Sequence, residues 1–255
     1  MRLTRFVPLL LVAVAACSSP SEATRDGQQK SETATVFDEM FTVVQGIDYL
    51  PFQYKIDGCY ARALYMSMEL ASNQMESNAL FVFAPQGQSL VVGNVQWGYH
   101  VAPMIEVSDD AGSLTPTVID PSLSTQPLTA QAWIAQMGYP YPDQPDYPTT
   151  LMVPGSDYAP NEAEAEQTFQ NVDLPNFADL PAFHLADISN ACAVMYTYIA
   201  DEGQLPGVTE DVASKQSRLV ARTGQLVQAL RDDGKLDANG PAFSAANCSL
   251  GIAAN

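Results

Sequence analysis

Hydrophobic and polar residues change period along this chain, and the changes divide it into helices, strands and a polar lead. Phe37, Met40, Phe41 and Val44 fall at i, i+3, i+4 and i+7, which predicts an amphipathic helix ending at Gly46. From Cys59 to about Glu76 good helix formers dominate, with Ala63, Met66 and Leu70 on one stripe and Asp57 placed as N-cap. The period then shortens. Runs at 79–84, 89–97, 99–107 and 114–120 read as strands, and in the third Tyr99, Val101, Pro103, Ile105 and Val107 alternate with His100, Ala102, Met104 and Glu106. A short helix is expected at 129–137, closed by Gly138, then a proline-rich loop and a further strand at 149–154. Beyond it the chain turns helical, around 186–202 and in a segment opened by Thr209 that carries Val212, Val220, Thr223, Val227 and Leu230 near one face. Helices and strands that segregate in this way give an α+β class, with a mainly helical C-terminal extension.

The first residues follow a different pattern. Arg2 and Arg5 precede an apolar run from Phe6 to Ala16 that ends in small residues. As a helix that run rises about 16 Å, well short of a bilayer's hydrocarbon core, so residues 1–16 read as a signal peptide. The stretch Val14-Ala15-Ala16-Cys17 resembles a bacterial lipobox, which implies acylation of Cys17 and membrane attachment through N-terminal lipid. Ser18 follows Cys17, and the resemblance then favours an exported lipoprotein of the outer membrane or cell surface. Residues 17–35 are polar and read as the lipidated cysteine and a flexible tether.

Charge narrows the partners. With 11 basic residues against 29 acidic ones, a formal net charge of −18 makes nucleic-acid binding a poor expectation. An exported chain sits where disulfides persist, so the four cysteines need sorting. Cys17 takes the lipid, Cys192 and Cys248 form the natural candidate pair, and Cys59 is left without a structural duty.

Cys59 opens its helix, where unpaired N–H groups and the positive end of the macrodipole favour thiolate over thiol. The Cys59 N–H at the same helix end is placed to donate to an oxyanion. Only two histidines are available as a base, and His184 lies late, before a helix. His100 lies in a strand whose hairpin, if centred on Asp110, sets it directly opposite Asp120 with Cβ atoms roughly 5 Å apart. Cys59, His100 and Asp120 are the candidate catalytic group. Two distant histidines and this cysteine set give no metal-ligand spacing, and the chemistry calls for no cofactor.

The motifs DGCYARA at 57–63, WGYHVA at 97–102 and IDPSL at 119–123, in that order and spacing, resemble the protein-glutaminase signature. The resemblance implies a transglutaminase/papain-like core, at residues 36–155, in which a Cys-bearing helix packs on an antiparallel sheet; residues 156–255 form the helical region outside it. It also implies a protein-glutamine deamidase acting on protein or peptide glutamines through a Cys59 thioester, with His100 as acid and base and Asp120 orienting it. Trp97, Gly58 and Tyr60 would form the oxyanion or substrate pocket. Leu64 departs from the histidine expected near that point of the signature. The same three residues would also serve a transglutaminase-like acyltransferase or a cysteine peptidase, and a surface lipoprotein that keeps the fold as a binding module is the alternative outside enzymes.

Overall fold

The computed structural model describes residues 38–108, 114–158, 182–237 and 243–249. The expected signal peptide, the candidate lipidation site Cys17, the expected tether and the turn expected at 109–113 lie outside the described residues, as does Phe37. Helix α1 covers 38–45, with Met40, Phe41 and Val44 buried as the spacing requires. Helix α2, Cys59–Ser72, buries twelve of its fourteen residues, among them Leu64, Met66, Met68 and Leu70. A helix apolar nearly all round belongs between layers rather than on one.

Among the described residues seven strands follow in chain order: β1 Asn78–Phe83, β2 Leu90–Val92, β3 Val95–Trp97, β4 Tyr99–Ser108, β5 Leu114–Val118, β6 Leu128–Thr129 and β7 Thr149–Pro154. Five make an antiparallel sheet in the order β6-β5-β4-β1-β7, and β2 and β3 pair as a separate hairpin. The single strand expected over 89–97 is therefore two. Gly93, at φ 61°, opens a two-residue turn before Val95, and a Gly-Asn pair between apolar runs is a hairpin signal.

Helices α3 (Ala130–Gln136), α4 (Leu185–Glu202), α5 (Val212–Asp232) and the short α6 (Ala245–Ser249) complete the described elements. Thr129 caps α3 by accepting from the Ala132 N–H, and Asp211, not Thr209, caps α5 by accepting from the Ser214 N–H. The start of α2 also differs from expectation. Gly58 is its N-cap residue, at φ 81°, and the Asp57 carboxylate accepts from the Gly58 N–H rather than from within the helix.

Both faces of the sheet are covered. On one side Ala79, Phe81, Val101, Ile105 and Leu151 pack with α2 and, behind it, with Ile188, Met195, Leu219 and Leu226 of α4 and α5. On the other side Leu80, Val82, Ala102, Met104 and Val118 meet Trp133, Ile134 and Met137 from α3. Strand alternation sorts these sets: adjacent residues of β1 and β4 serve opposite cores. Thus β1, paired on both edges, buries five of its six residues. A disulfide joins Cys192 of α4 to Cys248 of α6, and Cys59 is the free cysteine among the described residues.

Candidate active site

The β4–β5 hairpin carries His100, the candidate base, and leads into Asp120, its candidate partner, but not in the register expected. Met104 pairs with Val118 and Ile105 with Thr117, a register two residues away from one that opposes His100 and Asp120. The Ile119 N–H still donates to the Pro103 carbonyl at 2.9 Å, so the ladder runs to the threshold of Asp120, which lies just past the strand. A shift of two preserves the face because side chains repeat every second residue. Asp120 is consequently a diagonal neighbour of His100, within reach of an imidazole though not of a directly opposed Cβ.

The His100 Nε2–H donates to Asp120 Oδ2 at 2.9 Å, with both side chains buried. The Trp133 indole N–H donates to the same oxygen at 2.9 Å. Oδ1 accepts from the Ser122 N–H at 3.1 Å and from the Ser122 hydroxyl at 2.5 Å. One carboxylate oxygen thus closes the turn that Asp-Pro-Ser predicts, and the other fixes the ring. Burial alone would raise the Asp120 pKa; bonds and charge from His100, with Ser122 and Trp133, outweigh it and hold the group down at about 2.

Burial likewise pulls the His100 imidazolium down, but Asp120 first and Cys59 second reverse the balance and push it up to about 9. Nδ1 is buried and has no partner at hydrogen-bond geometry. Because Nε2 is committed to Asp120, Nδ1 is the nitrogen left for Cys59, whose sulfur acts on the ring without meeting the geometric limits of a bond to it. Such contacts commonly tighten only when substrate is bound.

Both tryptophans of the chain press on this histidine. Trp97 stacks on the ring at 4.7 Å and 11°, and Trp133 lies at 5.4 Å and 32°. Aromatic faces favour the charged imidazolium. Trp97 differs from its expected oxyanion role in one respect, since its indole N–H donates to the Lys55 carbonyl at 2.8 Å and ties the loop before Cys59 to β3. The first N–H groups of α2 have no acceptor within the helix, which makes them the candidate oxyanion donors.

Cys59 is 5% exposed, at the first position of α2. Gly58 before it is needed twice over: its φ of 81° is left-handed, and a Cβ there would lie 2.7 Å from Tyr198 ring carbons and 2.9 Å from Met195 Cε. Arg62, 2% exposed, donates from Nη1 to the Tyr54 and Asp57 carbonyls and so fastens the same turn from inside α2. Tyr60 is half-buried and meets the Tyr158 ring edge-on at 5.2 Å. Leu64 is a buried core residue, so this chain spends that position on packing. His184 is half exposed beside Asp237, remote in role from the Cys59–His100 contact.

Trp133 and Ser122 are the members of the site that sequence reasoning missed. Ser122 lay inside the IDPSL motif and could have been found as the i+2 donor of an Asp turn. Trp133 gave no signal beyond its place on a short helix. Among the described residues no group of three or more His, Cys, Asp or Glu is arranged to hold a metal ion.

Residues 34–137 match the glutaminase family. Among solved structures, the NMR structure of protein-glutaminase from Chryseobacterium proteolyticum is 24% identical, with 71% of this chain and 95% of that one covered and a TM-score of 0.47. A crystal structure of pro-protein-glutaminase is 22% identical over 71% of this chain and 62% of that one, with a TM-score of 0.48. A mutant of the pro-protein is 26% identical over 49% of this chain, with a TM-score of 0.41, and the match spans 48% of its length. No curated protein matches the chain.

Proposed function

From the premise that residues 34–137 are a glutaminase-family segment, we propose that the chain is a protein-glutamine deamidase with Cys59 as nucleophile. The observation that carries this reading is the buried His100, with Nε2 fixed by Asp120 and Nδ1 left unbonded beside a free thiol. Cys59 passes its proton to Nδ1, and the thiolate attacks the Cδ carbon of a glutamine side chain. N–H groups at the start of α2 stabilise the oxyanion; His100 protonates the departing nitrogen and ammonia leaves. A γ-glutamyl thioester remains. Water, deprotonated by His100, attacks the thioester carbonyl, which releases glutamate and returns the thiol. Asp120 keeps the ring in one tautomer and balances its charge throughout, as carboxylates do in nucleophile–histidine–carboxylate triads.

Burial bears on the choice of amide. Cys59 and His100 are 5% and 1% exposed, an arrangement that a long unbranched side chain reaches more readily than a main-chain peptide does. This favours side-chain deamidation over peptidase action. Water as acceptor, rather than an amine, is the part of the proposal that separates it from transglutamination.

The lipobox resemblance at 14–17 supports an exported lipoprotein held at the outer membrane or cell surface through Cys17. Among the described residues no helix is long and apolar enough to cross a membrane, so attachment in this reading rests on the lipid. Ammonia release from casein and from a blocked glutaminyl peptide, by residues 18–255 and by the same protein with Cys59→Ala, tests the function. Release by the first alone, with conversion of glutamine to glutamate seen by mass, is the expected result. Equal silence from two folded proteins would contradict it, and incorporation of a primary amine in preference to water would move the assignment to an acyltransferase.

A further inference from the structure

The family match ends at residue 137, yet the turn that presents the nucleophile rests on a helix that begins well beyond it, at Leu185. Met195, Tyr198 and Glu202 stand at i, i+3 and i+7 on α4 and therefore on one stripe. All three meet the 53–58 loop. Met195 and the Tyr198 ring fill the space over Gly58 where a Cβ would sit. The Tyr198 ring also stacks on Tyr54 at 4.7 Å and 28°, and its hydroxyl donates to Asp57 Oδ2 at 2.7 Å, while Asp57 Oδ1 accepts from the Gly58 N–H at 2.6 Å. One turn on, Glu202 is 2% exposed and accepts from the Gln53 N–H at 2.8 Å through one oxygen and from Lys215 of α5 at 2.6 Å through the other.

We propose that this α4 stripe is a positioning platform for the nucleophile, with Tyr198 as its principal residue, so that residues outside the glutaminase match are part of the working active site. Tyr198 touches neither Cys59 nor a reacting atom in this scheme. Its flat ring holds Gly58 in the left-handed conformation that starts α2 at Cys59, and so sets the direction of the first N–H groups and of the sulfur. Loss of the ring lets the Gly58 turn relax, whereas loss of the hydroxyl alone leaves the packing and the Arg62 clamp in place, because Asp57 is exposed and water replaces the lost bond.

The proposal rests on the deamidase reading for its activity readout only, and a second readout stands without it. Tyr198→Phe, Tyr198→Leu and Tyr198→Ala are compared with the wild type in the full exported chain, by kcat and KM for a blocked glutaminyl peptide and by the rate of Cys59 alkylation with iodoacetamide against pH. Tyr198→Leu keeps an apolar side chain over Gly58 in case the alanine variant does not fold. The expected result for the leucine variant is a fall in kcat of about tenfold to a hundredfold with KM little changed, as small misplacements of reacting groups produce. Its alkylation profile shifts, and the phenylalanine variant restores both to near wild type. A leucine variant with wild-type kcat and an unchanged alkylation profile overturns the platform. If no protein releases ammonia, the deamidase reading fails, and the alkylation profile alone still decides the role of Tyr198.

Discussion

Two buried carboxylates lie toward opposite ends of α2, and they have different surroundings. Glu69, near its C-terminal end, accepts from the Tyr49 hydroxyl at 2.6 Å and from Arg222 Nε at 2.7 Å and Nη2 at 2.5 Å. Its partners come from before α2 and from α5, and the network closes on itself. Asp120, near the N-terminal end, also has every oxygen bonded, but the histidine it holds does not: Nδ1 is buried without a bonded partner. A satisfied network locks elements together, and a buried polar atom left unbonded costs free energy that stability alone does not explain. The first reads as structure and the second as chemistry.

Substitutions sharpen that contrast, and the largest effect belongs to the thiol. Cys59→Ala is expected to remove about four orders of magnitude or more of the rate, as loss of a nucleophile does in a cooperating triad, with little change in unfolding midpoint. Steady-state ammonia assays beside a thermal melt separate the two quantities. Asp120→Asn should cost about 10²–10⁴ in kcat/KM. It should also move the alkaline limb of the pH profile, near 9 in the native protein, to lower pH, because the largest support for His100 protonation is gone while burial remains.

The same pair predicts how stability follows pH. The folded His100 is raised above its ordinary value of 6.5, so its contribution is complete below that value and is lost as pH rises through about 9. Asp120 is depressed below 3.8, so its contribution is present above that value and is lost as pH falls through about 2. Denaturant midpoints should therefore form a plateau between pH 3.8 and 6.5, falling away toward about 2 on one side and about 9 on the other, and Asp120→Asn should erase the alkaline decline.

Effects confined to stability come next. Opening the Cys192–Cys248 disulfide, which spans 56 residues, by a double alanine substitution should lower unfolding free energy by about 2–4 kcal/mol. Glu69→Gln should cost about 1–3 kcal/mol by weakening the bonds to Tyr49 and the half-exposed Arg222, and leave kcat per folded molecule unchanged. If Glu69→Gln instead lowered kcat with stability intact, the division between structural and chemical carboxylates would collapse.

Much of the site was legible because it is local. Gly-Cys at a helix start, a histidine on an alternating strand and an aspartate before proline each carry their own signal, and period-two alternation kept His100 and Asp120 on one face even though the register was misplaced by two. At 109–113 the sequence offers more than one centre for a connection, and each centre implies a different register. Asp57 reads as an N-cap by residue type, but Gly58 takes the left-handed position that the close approach of α4 demands. What stayed hidden is long-range. Trp133 reaches Asp120 across 13 residues, and Tyr198 reaches Asp57 across 141. On its own helix each looks like an ordinary packed aromatic, because what distinguishes it is the partner brought by the fold.

A covalent bond between Cys59 and the substrate is the step that the proposed chemistry cannot do without. Acid-quenched enzyme caught during turnover of a blocked glutaminyl peptide, then digested and analysed by mass spectrometry, should carry the peptide less one ammonia on the fragment containing Cys59. Glutamate formation without that adduct, and persisting in Cys59→Ala, would contradict Cys59 as the nucleophile.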